Sequence, residues 1–262
     1  DGNLIAWDAA RAGADISPDT FRSLLPALYS WMGDGMIEGV ANLSEWYFEK
    51  FATDESSTEG LFEDYDHPNT RVTHMTVDHE LPMTFWRSVG YSYTAFAKES
   101  MIDEMAEAAG MDEVGFRLQN TQKTPRLNNV IRVAGEHMAK MNPPEGHHLG
   151  FAAHHSFYTD VAEIAEVSVE KGEIRVHKVT CVLDCGQAVN PDIVRSQIEG
   201  GVIYGLTATL YGGLNLERGA IKESNFHDYP MLRMNESPEI EVVIIDSGTK
   251  PTGVGEPGLP PI

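Results

Sequence analysis

Residues 160–206 read DVAEIAEVSVEKGEIRVHKVTCVLDCGQAVNPDIVRSQIEGGVIYGL. Two apolar, β-branched runs, 161–169 and 174–183, flank Lys171-Gly172. A glycine turn between two such runs predicts an antiparallel hairpin. Asn190-Pro191 then joins an N-cap residue to proline at a first helical position. That pairing predicts a helix from Pro191 to about Tyr211. Working outward, Gly150 to Ser156 and Ile240 to Ile245 read as further strands. Helices and strands mix without regular βαβ alternation. The expected fold class is α+β, with mixed helices and antiparallel sheets.

Upstream the pattern turns helical. Tyr91 to Ala109 is closed by Gly110, and Ala97, Met101, Met105 and Ala108 recur at helical steps. They predict the buried stripe of that helix, with Glu99, Asp103 and Glu107 facing away from it. Helices are expected over Asp112 to Asn120 and over Arg126 to Met141, the latter ended by Pro143-Pro144. Further back, Arg71 to His79 alternates as a strand does. Residues 52–69 carry acids without bases and read as a loop, 18–31 as a helix and 3–9 as a short strand. A boundary near 142–146 divides the chain into a first α+β part, 1–141, and a second, 142–262.

The chain has 262 residues, 42% hydrophobic, with 19 basic against 40 acidic residues and a formal charge of −21. That is room for one large domain or two small ones. Such acidity repels phosphate backbones and excludes nucleic acid as a partner class. It reads as a solvated, self-repelling surface or as an acidic docking face. No stretch reaches the roughly 20 apolar residues of a membrane span. Cys181 and Cys185 are too few for a disulfide scaffold, a zinc ribbon or a four-cysteine cluster, and read as small buried residues. The start, Asp1-Gly2-Asn3, and the end, in a proline-rich loop, suggest a segment of a longer polypeptide.

Gly253, Gly255 and Gly258 match G-x-G-x-x-G in form, but Pro257, Pro260 and Pro261 fit badly with the required helix, so a dinucleotide-binding turn is rejected. What remains is one carboxylate, Glu256, in a stiffened loop that allows close backbone approach. It reads as a turn residue or, in a dry pocket, as a general base. Gly201, Gly205, Ala208 and Gly212 share one face of the 191–211 helix, which also carries Gly200 and Gln197. Interior glycines cost about 1 kcal/mol each relative to alanine. Either tight packing or a ligand compensates. His147, His148, His154 and His155 fall within nine residues. Adjacent strand residues point to opposite faces, so one ion cannot collect all four. Arg87, in Phe85-Trp86-Arg87-Ser88-Val89-Gly90 at a helix start, reads as substrate-orienting or as the partner of a carboxylate.

Taken in order, FWRSVGYSYTAFAKESMIDEMAEAAGMDEVGFRLQN (85–120), the 160–206 block, SNFHDYPMLRMNESPEIEV (224–242) and GVGEPGLPP (253–261) resemble the molybdopterin-binding large subunit of the xanthine oxidase family. Within it the motifs are most similar to the isoquinoline 1-oxidoreductase beta subunit type and related aldehyde-oxidising subunits. The resemblance covers about residues 70–262. It implies a molybdenum hydroxylase acting on an N-heterocycle or an aldehyde with water as oxygen source. It implies a molybdopterin cytosine dinucleotide cofactor and [2Fe–2S] clusters on a small partner subunit. Glu256 takes the place of the family's general base. The resemblance puts the Gln197 helix, with Gly200 and Gly201, near the pterin dinucleotide. It puts Trp86, Arg87 and Ser88 near molybdenum, with Gly255 beside the base.

Two departures bear on this. The family's upstream glycine-rich cofactor loop has no counterpart here, and Glu256 stands six residues from the last residue. A loop so placed is expected to be poorly held, which would leave the isolated segment inactive. The function belongs to the intact large subunit, with the remainder of that polypeptide as a further partner. The alternative is a non-catalytic, partner-binding member of the same family.

Overall fold

The computed structural model describes residues 1–77, 81 and 83–262. Its centre is a four-stranded sheet in the order β3-β4-β5-β8, formed by β3 (His147–Ser156), β4 (Thr159–Glu170), β5 (Glu173–Asp184) and β8 (Glu239–Ile245). The first three strands run antiparallel, and β8 joins β5 in parallel. A parallel neighbour needs a crossover, and α6 (Pro191–Tyr211) provides it. Asn190 caps α6, its side-chain oxygen accepting from the N–H groups of Asp192 at 3.1 Å and Ile193 at 3.2 Å.

Each face of the sheet carries a helix because strand residues alternate sides. Val161, Val179, Cys181 and Leu183 pack on Val194, Ile198, Val202 and Leu206 of α6. Ala153, Ala162, Ile164 and Val182 pack on Leu127, Val130, Ile131 and Ala134 of α5 (Pro125–Met138). Those α5 residues follow the i, i+3, i+4, i+7 spacing of a buried helical face. This second core joins residues on both sides of positions 142–146. Cys181 and Cys185 are both buried and free.

A third core sets Leu4, Trp7 and Tyr65 against Ile102 and Ala106 of α3 (Tyr91–Ala109) and Phe116 of α4 (Glu113–Gln119). Beside it, β1 (Trp7–Gly13) pairs in parallel with β2 (Thr70–Thr76), and α1 (Ser17–Leu28) and α2 (Asp34–Lys50) fill the connection. The hairpin of β6 (Leu216–Glu217) and β7 (Ala220–Ile221) is peripheral. Among the described residues no helix is long and apolar enough to cross a membrane.

Several expectations are revised. The first strand lies at 7–13, not 3–9, and α2 has no counterpart in the sequence reading. The strand expected at 71–79 is observed to Thr76, and its last two positions lie outside the described residues. Helix α3 has the expected span, but its buried side is Thr94, Ala95, Lys98, Glu99, Ile102 and Ala106. Ala97, Met101 and Ala108 are exposed. The inversion arises because two charged residues are neutralised inside. Lys98 pairs with Asp64, while Glu99 accepts from Arg117 Nε at 3.0 Å and from the Tyr65 hydroxyl at 2.9 Å. A charge so paired can be buried, and the helix turns to suit it. The 52–69 loop is likewise pinned: buried Asp54 accepts from the N–H groups of Ile16 at 3.0 Å and Ser17 at 2.8 Å, at the start of α1.

Candidate active site

The 249–258 segment leaves the sheet and is stitched to four elements in turn. The Thr252 N–H donates to the Cys185 carbonyl at 3.0 Å, at the end of β5. The Thr159 hydroxyl donates to the Gly253 carbonyl at 2.7 Å, beside the β3–β4 turn. That two-residue turn, Phe157-Tyr158, has φ of 51° and 63°. Both are left-handed, as a tight hairpin turn requires, in residues that rarely adopt the region. The Phe157 carbonyl then accepts from the Gly253 N–H at 3.3 Å.

The third element is the loop before α3. Arg87 Nε donates to the Gly255 carbonyl at 2.8 Å, Nη2 reaches the same oxygen, and Nη2 lies 3.3 Å from the Gln197 carbonyl. Its guanidinium thus clamps two main chains. The Ser88 N–H donates to Glu256 Oε1 at 3.0 Å, and the Ser88 hydroxyl donates to the Glu256 carbonyl at 2.8 Å. Ser88 is buried with φ of 74°. This left-handed turn places its N–H on the carboxylate.

The fourth element is the glycine face of α6. A Cβ on Gly201 would stand 3.1 Å from the Gly258 carbonyl carbon, and one on Gly205 would stand 3.3 Å from the Leu259 carbonyl oxygen and 2.2 Å from Ile262 Cγ2. Both glycines are there because the 256–262 backbone lies against the helix. Gly212 meets only its own helix. The loop is therefore firmly held, contrary to the expectation from its position near the last residue.

Next to this contact the surface opens. Gly200 and Gln197 are exposed, and a Cβ on Gly200 would have only Arg87 Nη1 near it, at 4.0 Å. The Gln197 amide oxygen lies 3.7 Å from the Cβ position of Gly255. Trp86 stacks on Tyr204 of α6 with ring centroids 4.9 Å apart, and Arg87 lies over the same ring. The result is a shallow floor bearing a guanidinium, an amide and an indole, with no side chain at Gly200 to obstruct a flat ligand. These residues fit a molybdopterin group: glycine allows close approach, and the polar donors suit a pterin and its phosphates. The catalytic and cofactor candidates from the sequence, Trp86, Arg87, Ser88, Gln197, Gly200, Gly201, Gly255 and Glu256, meet in this one place, while the histidines and Gly212 lie elsewhere.

The histidines do not converge. His147 Nδ1 lies 2.6 Å from Glu166, and its ring stacks on His177. His155 Nδ1 lies 2.7 Å from Asp160. His154 is fully buried beside Lys98, and burial pushes its pKa well below the usual value. Among the described residues no group of three or more His, Cys, Asp or Glu is placed to hold a metal ion.

Three residues went unread in the sequence. Tyr204 sits between Gly201 and Gly205, where an aromatic between interior glycines is the signal for a stacking platform. Glu59 lies in the acidic segment, half-buried, its pKa raised to about 7 by burial and by Glu63, Asp54 and Glu256. Glu163 on β4 is 2% exposed, opposite Cys181 on β5. Its carboxyl oxygens lack conventional hydrogen bonds, and burial lifts its pKa to about 8.

Comparison with known proteins follows the geometry. The fold is that of molybdenum hydroxylases: quinoline 2-oxidoreductase from Pseudomonas putida 86 superposes with a TM-score of 0.64 at 11% identity, over 79% of this chain and 52% of that one. Molybdopterin cofactor-binding domain models match residues 84–238 and 45–121. The chain belongs to this molybdopterin cofactor-binding family, of the xanthine oxidase type. It is 34% identical over 227 residues to the beta subunit of isoquinoline 1-oxidoreductase from Brevundimonas diminuta, covering 84% of this chain and 29% of that protein. It is 30% identical over 213 residues to a nicotinate dehydrogenase subunit from Pseudomonas putida, covering 73% of this chain and 18% of that protein. The chain thus spans less than a third of either relative.

Proposed function

We propose that this chain forms the base-bearing part of a molybdenum hydroxylase subunit that oxidises an electron-poor carbon of an N-heterocycle, with water as oxygen source. The relatives named for isoquinoline and nicotinate support the heterocycle. When bound, molybdopterin, in its cytosine dinucleotide form, supplies the redox centre. Trp86, Gln197 and Gly200 form the floor that receives it; Gly201, expected beside the pterin, is instead buried under the Gly258 backbone and seats the base loop. Cys181 in β5 and Cys185 just after it are both buried; the family resemblance supports [2Fe–2S] clusters on a small partner subunit as the route by which electrons leave.

One observation carries the reading. Glu256 is fixed by the Ser88 N–H on Oε1 and by the Ser88 hydroxyl on its own carbonyl, while Oε2 makes no hydrogen bond among the described residues. A carboxylate anchored by one oxygen presents the other in a set direction, as a general base must. Arg87 contributes by holding the preceding carbonyl at Gly255, so that the carboxylate cannot swing away. Arg87 thus orients the base first, and substrate through Nη1, which makes no hydrogen bond among the described residues and lies next to the open position at Gly200.

The test uses the natively purified full-length enzyme. About one molybdenum per chain with a cytosine nucleotide and an iron–sulfur partner is expected. Glu256→Gln should retain molybdenum and lose turnover by about 10²- to 10⁴-fold, the usual contribution of a general base. Near-wild-type turnover would remove Glu256 as base. Turnover of aldehydes but not of isoquinoline-type rings would replace the substrate class. No molybdenum beside an intact iron–sulfur partner would favour the non-catalytic member.

A further inference from the structure

Among the described residues, six other than glycine have a left-handed φ. Phe157, Tyr158, Lys171 and Arg218 occupy two-residue hairpin turns, which demand that geometry. Ser88 and Val89, with φ of 74° and 50°, lie in no hairpin. They stand one after the other just before α3. Valine is branched at Cβ and crowds its own main chain in this region. A left-handed valine is therefore an outlier that its surroundings must impose, and such outliers gather at functional sites.

The anchors that impose it lie on both sides. Before Ser88, Arg87 Nε donates to the Gly255 carbonyl at 2.8 Å. The Val89 N–H closes a turn on the Trp86 carbonyl at 2.9 Å. After the turn, the Val89 carbonyl accepts from the Ser92 hydroxyl at 2.8 Å. Gly90 is pressed on the Ser56 main chain, where a Cβ would stand 2.3 Å from the carbonyl oxygen. Between these anchors the chain has two residues in which to pass from Gly255 to the start of α3. The left-handed pair makes that passage. It leaves the Ser88 N–H on Glu256 Oε1 at 3.0 Å and the Ser88 hydroxyl on the Glu256 carbonyl at 2.8 Å. An extended or right-handed Val89 would swing Ser88 away from Glu256 while α3 stayed in place.

We propose that Val89 is a positioning residue for Glu256, acting through the Ser88 N–H. A residue with a Cβ has only a small left-handed well. Once the anchors hold Val89 in it, the backbone has little room to move, and the Ser88 N–H keeps one direction. Glycine would take the same φ without strain and with wide freedom around it. Position 89 thus gives up stability to fix the direction of the base. Stability and turnover should therefore respond in opposite order when the Cβ is removed. This inference rests on Glu256 being the base.

The test compares Val89→Ala, which keeps a Cβ, with Val89→Gly, which does not, in the full-length protein. Two readouts need no molybdenum. Val89→Gly should melt about 1–3 °C above Val89→Ala, the reverse of the usual order of these two residues. Exchange of the Ser88 amide hydrogen should be about tenfold faster in Val89→Gly than in wild type or Val89→Ala, because its bond to Glu256 opens more often. In the holoenzyme, kcat should fall by about 10- to 10²-fold in Val89→Gly and by less than about threefold in Val89→Ala, with KM steady in both. A turn that serves the fold alone predicts that the unstrained glycine protein is at least as active as the alanine one, and that outcome would overturn the proposal. So would a glycine variant that melts below the alanine one, or equal Ser88 exchange in the two. A rise in KM with kcat retained would also overturn it, by putting the Val89 side chain on substrate. Retained turnover in Glu256→Gln would instead remove the base assignment; Ser88 exchange would still decide whether Val89 sets the direction of that carboxylate.

Discussion

Glu163→Gln is the perturbation whose consequence can be worked furthest. Glu163 lies on the α6 side of β4, fully enclosed, and among the described residues only the Cys181 thiol offers it a weak hydrogen bond. Burial raises its pKa from 4.5 to about 8. Between those values the folded chain keeps a proton that the unfolded chain has released. Stability therefore falls as pH rises through this window: it is full below about pH 4.5, and the loss is complete above about pH 8. At ~1.4 kcal/mol per pH unit, the span corresponds to at most about 5 kcal/mol. Glutamine has nearly the same shape and no such titration. It also leaves an amide without partners, so the variant begins less stable at acid pH, by about 1–3 kcal/mol. The assay is urea unfolding of the intact protein, followed by circular dichroism from about pH 5 to about pH 8. The wild-type advantage should shrink steadily and reverse toward the alkaline end. A difference between the two proteins that does not change with pH would refute the reasoning, since it would mean the carboxyl titrates alike in both states.

Other outcomes follow from the packing. Gly90→Ala should force the Ser56 carbonyl away from α3, because backbone 2.3 Å from a new Cβ cannot absorb it; the expected loss is about 1–3 kcal/mol, with faster hydrogen exchange in residues 54–60. Gly201→Ala should displace the 256–258 backbone by a few tenths of an ångström and lower turnover while leaving the fold intact. Its neighbour Gly200→Ala has open space, should gain up to about 1 kcal/mol from helix propensity, and should lower molybdenum content if the cofactor rests there. Lys98→Met should cost about 3–5 kcal/mol by leaving Asp64 buried and unpaired, and Lys98→Met with Asp64→Leu should recover much of it in a double-mutant cycle.

Much of this molecule is written locally. The β4–β5 hairpin follows from Lys171-Gly172, the start of α6 from Asn190-Pro191, and the end of α3 from Gly110, whose φ is 67°. Turns and caps act over a few residues, so a sequence window contains them whole. The ordered motifs likewise point to the family without coordinates. What the chain does at longer range is of another kind. Which side of α3 is buried depends on Asp64 and Arg117 meeting Lys98 and Glu99, and a periodicity of apolar residues cannot register charges cancelled by remote partners. The parallel partner of β1 lies beyond two helices, one of them unmarked by caps: α2 has no side-chain N-cap bond, and most of its apolar residues are exposed. At the site, the sequence named the residues but not their duties. Arg87 finds its acceptor at Gly255, a backbone carbonyl 168 positions away, and no side-chain pattern announces a carbonyl. Glu59 comes to the start of α3 because Gly90 lets the Ser56 main chain approach. The sequence by itself determined the elements and the family, because those are encoded in short-range chemistry. Only the tertiary structure decided which backbone each glycine admits and which carboxyls are buried, because close approach and burial are properties of the whole packed chain.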